Sequence, residues 1–298
     1  MTPGQQNSLK TFTAFFAIYF VWGTTYLAIK YAVETIPPFL MMGMRSLSAG
    51  AALFTWGRLR GDANAIPKQL PPLILIGFLF FLVGHGGLAW AEKTVPSGVA
   101  SLLIATEPLI IALFEPMFTG EGRVSRRTMI GMLTGLSGVA VLVLPKEFDF
   151  ENSNLAGTFV ILMCASSWAT GAIYSRVVRV PRSPFITGGM QLVAGGVLLI
   201  IVSTILGEWS GFSFAQVTAR SWAGLVYLIL FGSIVAFSAY TWLLTITSAT
   251  RISTHNFINP VIAVIVGWAF GGETLTKEIL LATMLIVISI YLVLFRKK

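Results

Sequence analysis

The chain has 298 residues, of which 55% are hydrophobic and only 11% charged. A soluble domain carries about 25% charged residues, so this composition excludes an ordinary soluble fold. A net charge of +8 would suit nucleic acid, but the basic residues are spread over the joints between apolar runs and form no separate patch.

In chain order the apolar residues fall into ten runs, each near the length a helix needs to cross hydrocarbon. They read as helices because an open sheet in lipid leaves backbone groups unpaired. The first span, 12–33, is too long for a signal-peptide core and ends on no small-residue cleavage site, so it is expected to be retained. It carries Trp22 and Tyr26, with Lys30 near its outer end, where a lysine can snorkel. Span two, 36–57, holds Arg45 near its middle. An unpaired arginine there costs at least about 2.5 kcal/mol, so an ion pair with Glu107 or Glu115 is expected, with direct ligand contact as the alternative. Span three, 71–91, places His85 in the sequence GHGG and ends on Trp90. His85 reads either as a substrate contact or proton-sensitive group, or as a hydrogen-bonded packing histidine.

Span four, 97–119, contains Glu107 followed by Pro108. The proline removes a backbone donor and frees a carbonyl one turn earlier. Glu107 therefore either lines a cavity or pins helices together. Span five, 128–145, carries Gly131 and Gly135 at the spacing of a close helix contact, which serves internal packing or a homodimer. The acidic, polar segment 145–154 is the natural joint. Span six, 155–178, holds Trp168 near its middle, Tyr174, and Cys164, the single cysteine, so neither an intrachain disulfide nor a cysteine-based metal site is expected.

Span seven, 184–206, contains Gln191, and span eight, 221–246, contains Tyr227, Tyr240 and Trp242. Span nine, 252–271, holds Asn259-Pro260 halfway along, and His255 near its inner start, where a solvated or capping role is expected. Gly267 and Gly271 repeat the close-contact spacing of span five. Span ten covers 276–295. Glu121 and Glu273 follow spans four and nine, placed to cap the next helix or orient a loop. Trp56, Trp209 and Trp222 lie near span ends and fit interfacial anchoring, whereas Trp22 and Trp168 lie too deep for it.

The spans repeat. WGTTYLAIK from Trp22 aligns without gaps on WATGAIYSR from Trp168, so Lys30 meets Arg176 and Arg45 meets Gln191. A second register starts at Trp90 and Trp242, where Glu107-Pro108 falls on Asn259-Pro260, Glu121 on Glu273, and His85 on Phe237. This divides the chain into units 12–145 and 155–295, each of five spans. An odd number of crossings inverts the second unit relative to the first, a construction many transporters use. Most of the 20 basic residues, including Arg123, Arg126, Arg127, Arg176, Arg179, Arg182 and the last three, fall on the side of the N-terminus. Only Lys93, Lys146, Arg220 and Lys277 fall on the other, so both termini are expected in the cytoplasm.

Metalloprotease, phosphate-loop, dinucleotide and serine-hydrolase signatures are missing from the sequence, so neither an enzyme, a cofactor nor a metal is expected. The early WGTTY, Arg45, the EP and NP pairs and the paired GE endings together resemble the drug/metabolite transporter superfamily in its EamA-type branch, over essentially the whole chain. The nearest resemblance within it is to the YddG type of aromatic amino acid exporter. That resemblance implies an all-α integral membrane protein of the bacterial inner membrane, with helices one, three, four, six, eight and nine around a central cavity and helices five and ten peripheral. It implies export of neutral or aromatic amino acids, or related metabolites and cationic drugs, by alternating access. His85, Trp90 and Trp168 become cavity candidates, joining Trp22, Tyr26, Glu107, Tyr240, Trp242 and Asn259 as substrate-binding residues, with Arg45, Pro108 and Pro260 structural or gating. Expected partners are a small-molecule substrate and membrane lipid. A sugar phosphate or nucleotide sugar would call for facing cations in the spans, and only Lys30 and Arg45 are available. A sensor would need an output domain that these short loops do not hold.

Overall fold

The computed structural model describes residues 3–62, 67–119, 126–143, 155–253 and 255–294. Glu121, Arg123, the joint 145–154 and the last residues, 295–298, lie outside these. The architecture is helical throughout the described residues. α1 spans Pro3–Ala32 and α2 spans Pro38–Leu59; α3 covers Leu70–Ala91; α4 runs Ser97–Ile104 and resumes at Glu107–Thr119. α5 is Arg126–Val143, α6 Leu155–Val177, α7 Pro184–Ile205 and α8 Ala219–Ile246. α9 begins as the short Ala249–Ile252 and continues as His255–Gly271, and α10 is Lys277–Leu294. Six of these helices are long and apolar enough on their own to cross a membrane. The protein is a ten-helix, multi-pass membrane protein built from two inverted five-helix repeats.

Helix starts follow local chemistry. Pro38 and Pro184 occupy first-turn positions where the missing donor costs nothing. Ser183 and Thr218 cap α7 and α8 by accepting from the Ile186 and Ser221 amides at 3.3 and 3.2 Å. Phe12, Phe16 and Phe20 form an exposed stripe on α1, opposite the buried Trp22, Tyr26 and Ile29, so the outer face is apolar as lipid demands.

The helices pair in matched sets. α2 packs on its repeat mate α7, and α5 on its mate α10. α1 against α9 is matched by α6 against α4, α3 against α7 by α8 against α2, and α3 against α6 by α8 against α1. Such pairing is what a two-fold axis in the membrane plane generates. The α2–α7 seam is lined with glycine. A Cβ at Gly189 would stand 2.7 Å from the Phe54 backbone nitrogen, and one at Gly50 2.8 Å from that of Val193. The other glycine pairs serve internal packing. Gly135 faces Ser289 of α10, Gly267 faces the Glu273 side chain, and Gly271 faces Leu27.

Two features were not legible as helix runs. α3 and α8 each contain a π-helical stretch, Phe78–Gly86 and Leu228–Val235, which overlap in the register of Trp90 and Trp242. Such wide turns concentrate at functional sites. In α3 the carbonyls of Leu79 and Val83 are taken by Ser167 and Cys164 of α6, at 2.8 and 3.2 Å.

Candidate functional site

A cavity lies where α1, α2, α3, α4, α6 and α9 converge. Its wall includes Trp22, Thr25, Tyr26, Arg45, His85, Glu107, Trp168, His255 and Asn259. It encloses about 60 Å³, room for a few waters.

Its walls are mainly rings. Trp22 and Trp168, both 8% exposed, meet edge to face at 5.8 Å, a favoured aromatic arrangement. Trp168 stacks on Phe80 at 4.4 Å and donates its indole N–H to the Tyr240 hydroxyl at 3.2 Å. Trp22 donates to the Gly232 carbonyl at 3.1 Å, so the π stretch of α8 fixes that ring. Tyr240 is buried as a backing ring behind Trp22 and Trp168 rather than a wall residue.

Two charged residues share this wall. Arg45 is buried, but the ion pair expected with Glu107 or Glu115 does not form. Its Nε donates to Ser233 at 2.8 Å and Nη1 to the Met42 sulfur at 3.6 Å. Glu115 instead faces Arg176 at 3.6 Å. The π stretch of α8 makes the arginine's room, because a Cβ at Gly232 would stand 3.0 Å from Nη2. Glu107 opens the second half of α4, immediately after the break at Ala105–Thr106, where the helix dipole favours an anion. Pro108 follows it within that first turn.

Asn259, with its amide nitrogen turned towards them, donates to the carbonyls of His255 and Tyr19 at 3.1 and 2.6 Å, tying α9 to α1 beside Pro260. His85 sits 4.9 Å from Trp168, its Nδ1 buried without a partner among the described residues. His255 departs from the solvated role expected of it. It is buried, 5.0 Å from Trp22, with Nδ1 bonded to the Ile252 carbonyl at 2.9 Å. Nearness to the end of a span does not show that the neighbouring helices leave a side chain open, and here they cover it. Trp90 is 42% exposed and stands outside the cavity, and Trp242 is only partly buried at the core edge.

Each end of the bundle carries an ion pair made by a cation closing the first helix of a repeat. Lys30 of α1 contacts Glu273 at 2.8 Å, where free snorkelling was expected. Arg176, its repeat mate on α6, contacts Glu115 of α4 at 3.6 Å. Glu273 also accepts from the Ser97 amide and hydroxyl at 2.8 and 2.7 Å and the Gly98 amide at 3.1 Å. It therefore caps α4, not the following helix. Burial by itself would raise the Glu273 carboxyl, but the donors Lys30, Ser97 and Gly98 outweigh it and hold it below its ordinary value. A lowered carboxyl pKa stabilises above the unfolded value and is lost as pH falls through the folded one. This latch should hold at neutral pH and release in acid. Glu273→Gln should open it at any pH, read as faster maleimide labelling of an Ile29→Cys probe in a Cys164→Ser background. Unchanged labelling would rule out a latch.

The sequence matches the model of the EamA-like transporter family twice, over residues 9–144 and 155–295. It is 36% identical to the "Uncharacterized inner membrane transporter YedA" of Escherichia coli K12, over 96% of this chain and 90% of that protein. It is 28% identical to the "WAT1-related protein At3g02690, chloroplastic" of Arabidopsis thaliana, over 98% of this chain and 71% of that one. It is 25% identical to the "Uncharacterized transporter YoaV" of Bacillus subtilis, over 95% and 96%. A solved crystal structure shares the fold at a TM-score of 0.70 and 22% identity, covering 96% of each chain.

Proposed function

This chain belongs to the EamA-like transporter family, and from that premise we propose that it is a secondary transporter exporting neutral and aromatic amino acids across the bacterial inner membrane by alternating access, with both termini cytoplasmic. One observation carries the substrate class. Arg45 and Glu107 border the same aromatic cavity and form no salt bridge with one another. A zwitterion answers both, its carboxylate facing Arg45 and its ammonium facing Glu107, while Trp22 and Trp168 flank the side chain. A sugar phosphate would place its anionic charge against Glu107.

The paired latches at the two ends support alternating access. With the Lys30–Glu273 end outside, opening alternates between that pair and Arg176–Glu115. A second recess of about 330 Å³, bordered by Arg176, Thr187, Gln191 and Thr241, lies at the Arg176 end and suits a cytoplasmic vestibule. The carboxamide oxygen of Gln191 is buried there without a partner.

The test is uptake of radiolabelled phenylalanine into liposomes holding only this protein. Saturable uptake, lost in Arg45→Gln and in Glu107→Gln, is the expected result. Uptake indifferent to both substitutions would overturn the zwitterion reading. The direction is read in cells, where overproduction should lower internal phenylalanine and the Glu107→Gln protein should not.

A further inference from the structure

The acid that stands out beyond the cavity is Glu92. It follows the last turn of α3 and is 2% exposed. Both carboxylate oxygens are buried, and neither has a hydrogen-bond partner among the described residues. An ionised carboxylate in that state costs several kcal/mol.

The charged and titratable groups around it come from three other elements. Tyr26 and Lys30 of α1, Arg45 of α2 and Glu273 of the turn after α9 lie within electrostatic reach of it. None of them satisfies it. Lys30 is held by Glu273, and the Arg45 Nε is held by Ser233. On α3 itself, His85 lies within electrostatic reach of Arg45. Tyr26 is within reach of both Glu92 and Glu107, which places Glu92 on the Lys30 side of the cavity. Burial pushes the Glu92 carboxyl upwards, Glu273 adds to this, and Lys30 and Arg45 oppose it.

We propose that Glu92 is a proton-binding site that sets how strongly Arg45 holds the substrate's carboxylate, a step that rests on the amino-acid reading above. With the proton on Glu92, the Arg45 charge is uncompensated and available to an incoming carboxylate. When the proton leaves, Glu92 becomes a second anion in the field of Arg45 and competes with the ligand. Proton and carboxylate therefore bind cooperatively, and by linkage each strengthens the other equally.

The experiment is equilibrium binding of L-phenylalanine and of phenethylamine, which lacks the carboxylate, to the full chain in nanodiscs across a pH series. For the wild type, phenylalanine affinity should rise about tenfold from mildly alkaline to mildly acidic solution, the factor one pK unit of coupling gives. In Glu92→Gln it should stay high and pH-independent. Phenethylamine should show no such rise in either protein. A wild-type slope retained in Glu92→Gln, or an equal slope for phenethylamine, would overturn the proposal. If phenylalanine binds at no pH, the amino-acid reading fails, and Glu92 is judged on ligand-free protein by pH-difference infrared spectroscopy. A protonated-carboxyl band that is absent in Glu92→Gln supports the proton site. No such band, or one that survives the substitution, removes it. Should Glu92→Gln fail to fold, Glu92→Asp serves, because it must shift that band.

Discussion

Glu107→Gln is expected to lower phenylalanine affinity by at least about 30-fold while leaving the protein folded. Removing one member of a desolvated charge pair costs about 2–5 kcal/mol, and each 1.36 kcal/mol is about a factor of ten. The full effect falls on binding because Glu107 has no salt bridge among the described residues and faces the space a ligand would enter. The fold should survive. Glutamine keeps the length of the side chain and an oxygen that can accept from Asn256, and the charge lost at the start of the second half of α4 forfeits a helix-dipole interaction of about 0.3–1 kcal/mol. Binding and the thermal midpoint measured on the same preparation separate these outcomes. Wild-type affinity in Glu107→Gln would remove Glu107 from the site. A collapsed midpoint would make it a structural acid.

The second large effect is on stability, and two neighbouring glycines provide the comparison. Gly189→Ala puts a methyl 2.7 Å from the Phe54 nitrogen and 3.0 Å from the Gly50 oxygen. Both are backbone atoms of α2, so no side chain can turn aside, and the two helices must separate along the seam. Overpacking costs about 1–3 kcal/mol where neighbours can adjust, and this site should reach or exceed the upper figure. Gly188→Ala meets nothing closer than 3.5 Å and lies on the same helix. It should be neutral, or slightly stabilising, because alanine is the better helix former by about 0.5–1 kcal/mol. Thermal unfolding of the pair in detergent decides the matter. Equal midpoints would show that the α2–α7 contact is not limiting.

The sequence carries the large-scale plan because span length and the two gapless registers are properties of order along the chain. It also identifies much of the cavity wall. Trp22, Tyr26, His85, Glu107, Trp168 and Asn259 are polar or aromatic residues deep within spans, where lipid exposure is disfavoured, and the structure places all six on one cavity. What escapes is whatever depends on local departures from a straight α-helix. The partner of Arg45 is Ser233, supplied by a wide turn whose sequence, LILFGSIV, carries no helix-breaking signal beyond one glycine. His255 escapes because nearness to a span's end does not say whether a neighbouring helix covers the side chain, and here the Trp22 ring does. Glu92 escapes because it sits in a run, AEKTVPSG, that reads as an ordinary polar loop, although tertiary packing buries it. Trp90 illustrates the converse. Its position in the repeat is clear, but register alone does not say which side of a helix faces inward, and this ring faces outward.

The contact between Arg45 and Ser233 bears on how the molecule is made. The two residues are 188 positions apart, and the Trp22 indole and its acceptor at Gly232 are 210 apart. Ribosomes deliver the chain from the N-terminus, so α2 enters the bilayer with its arginine long before α8 exists to receive it. The glycine face of α2 likewise waits for α7. The first half is thus released in an immature state that only the arrival of the second can complete, and α2 must be sheltered by the insertion machinery, or sit shallowly with Arg45 at the lipid headgroups, until then. Synthesised as two separate fragments, the halves should mature only when both are present in the same membrane.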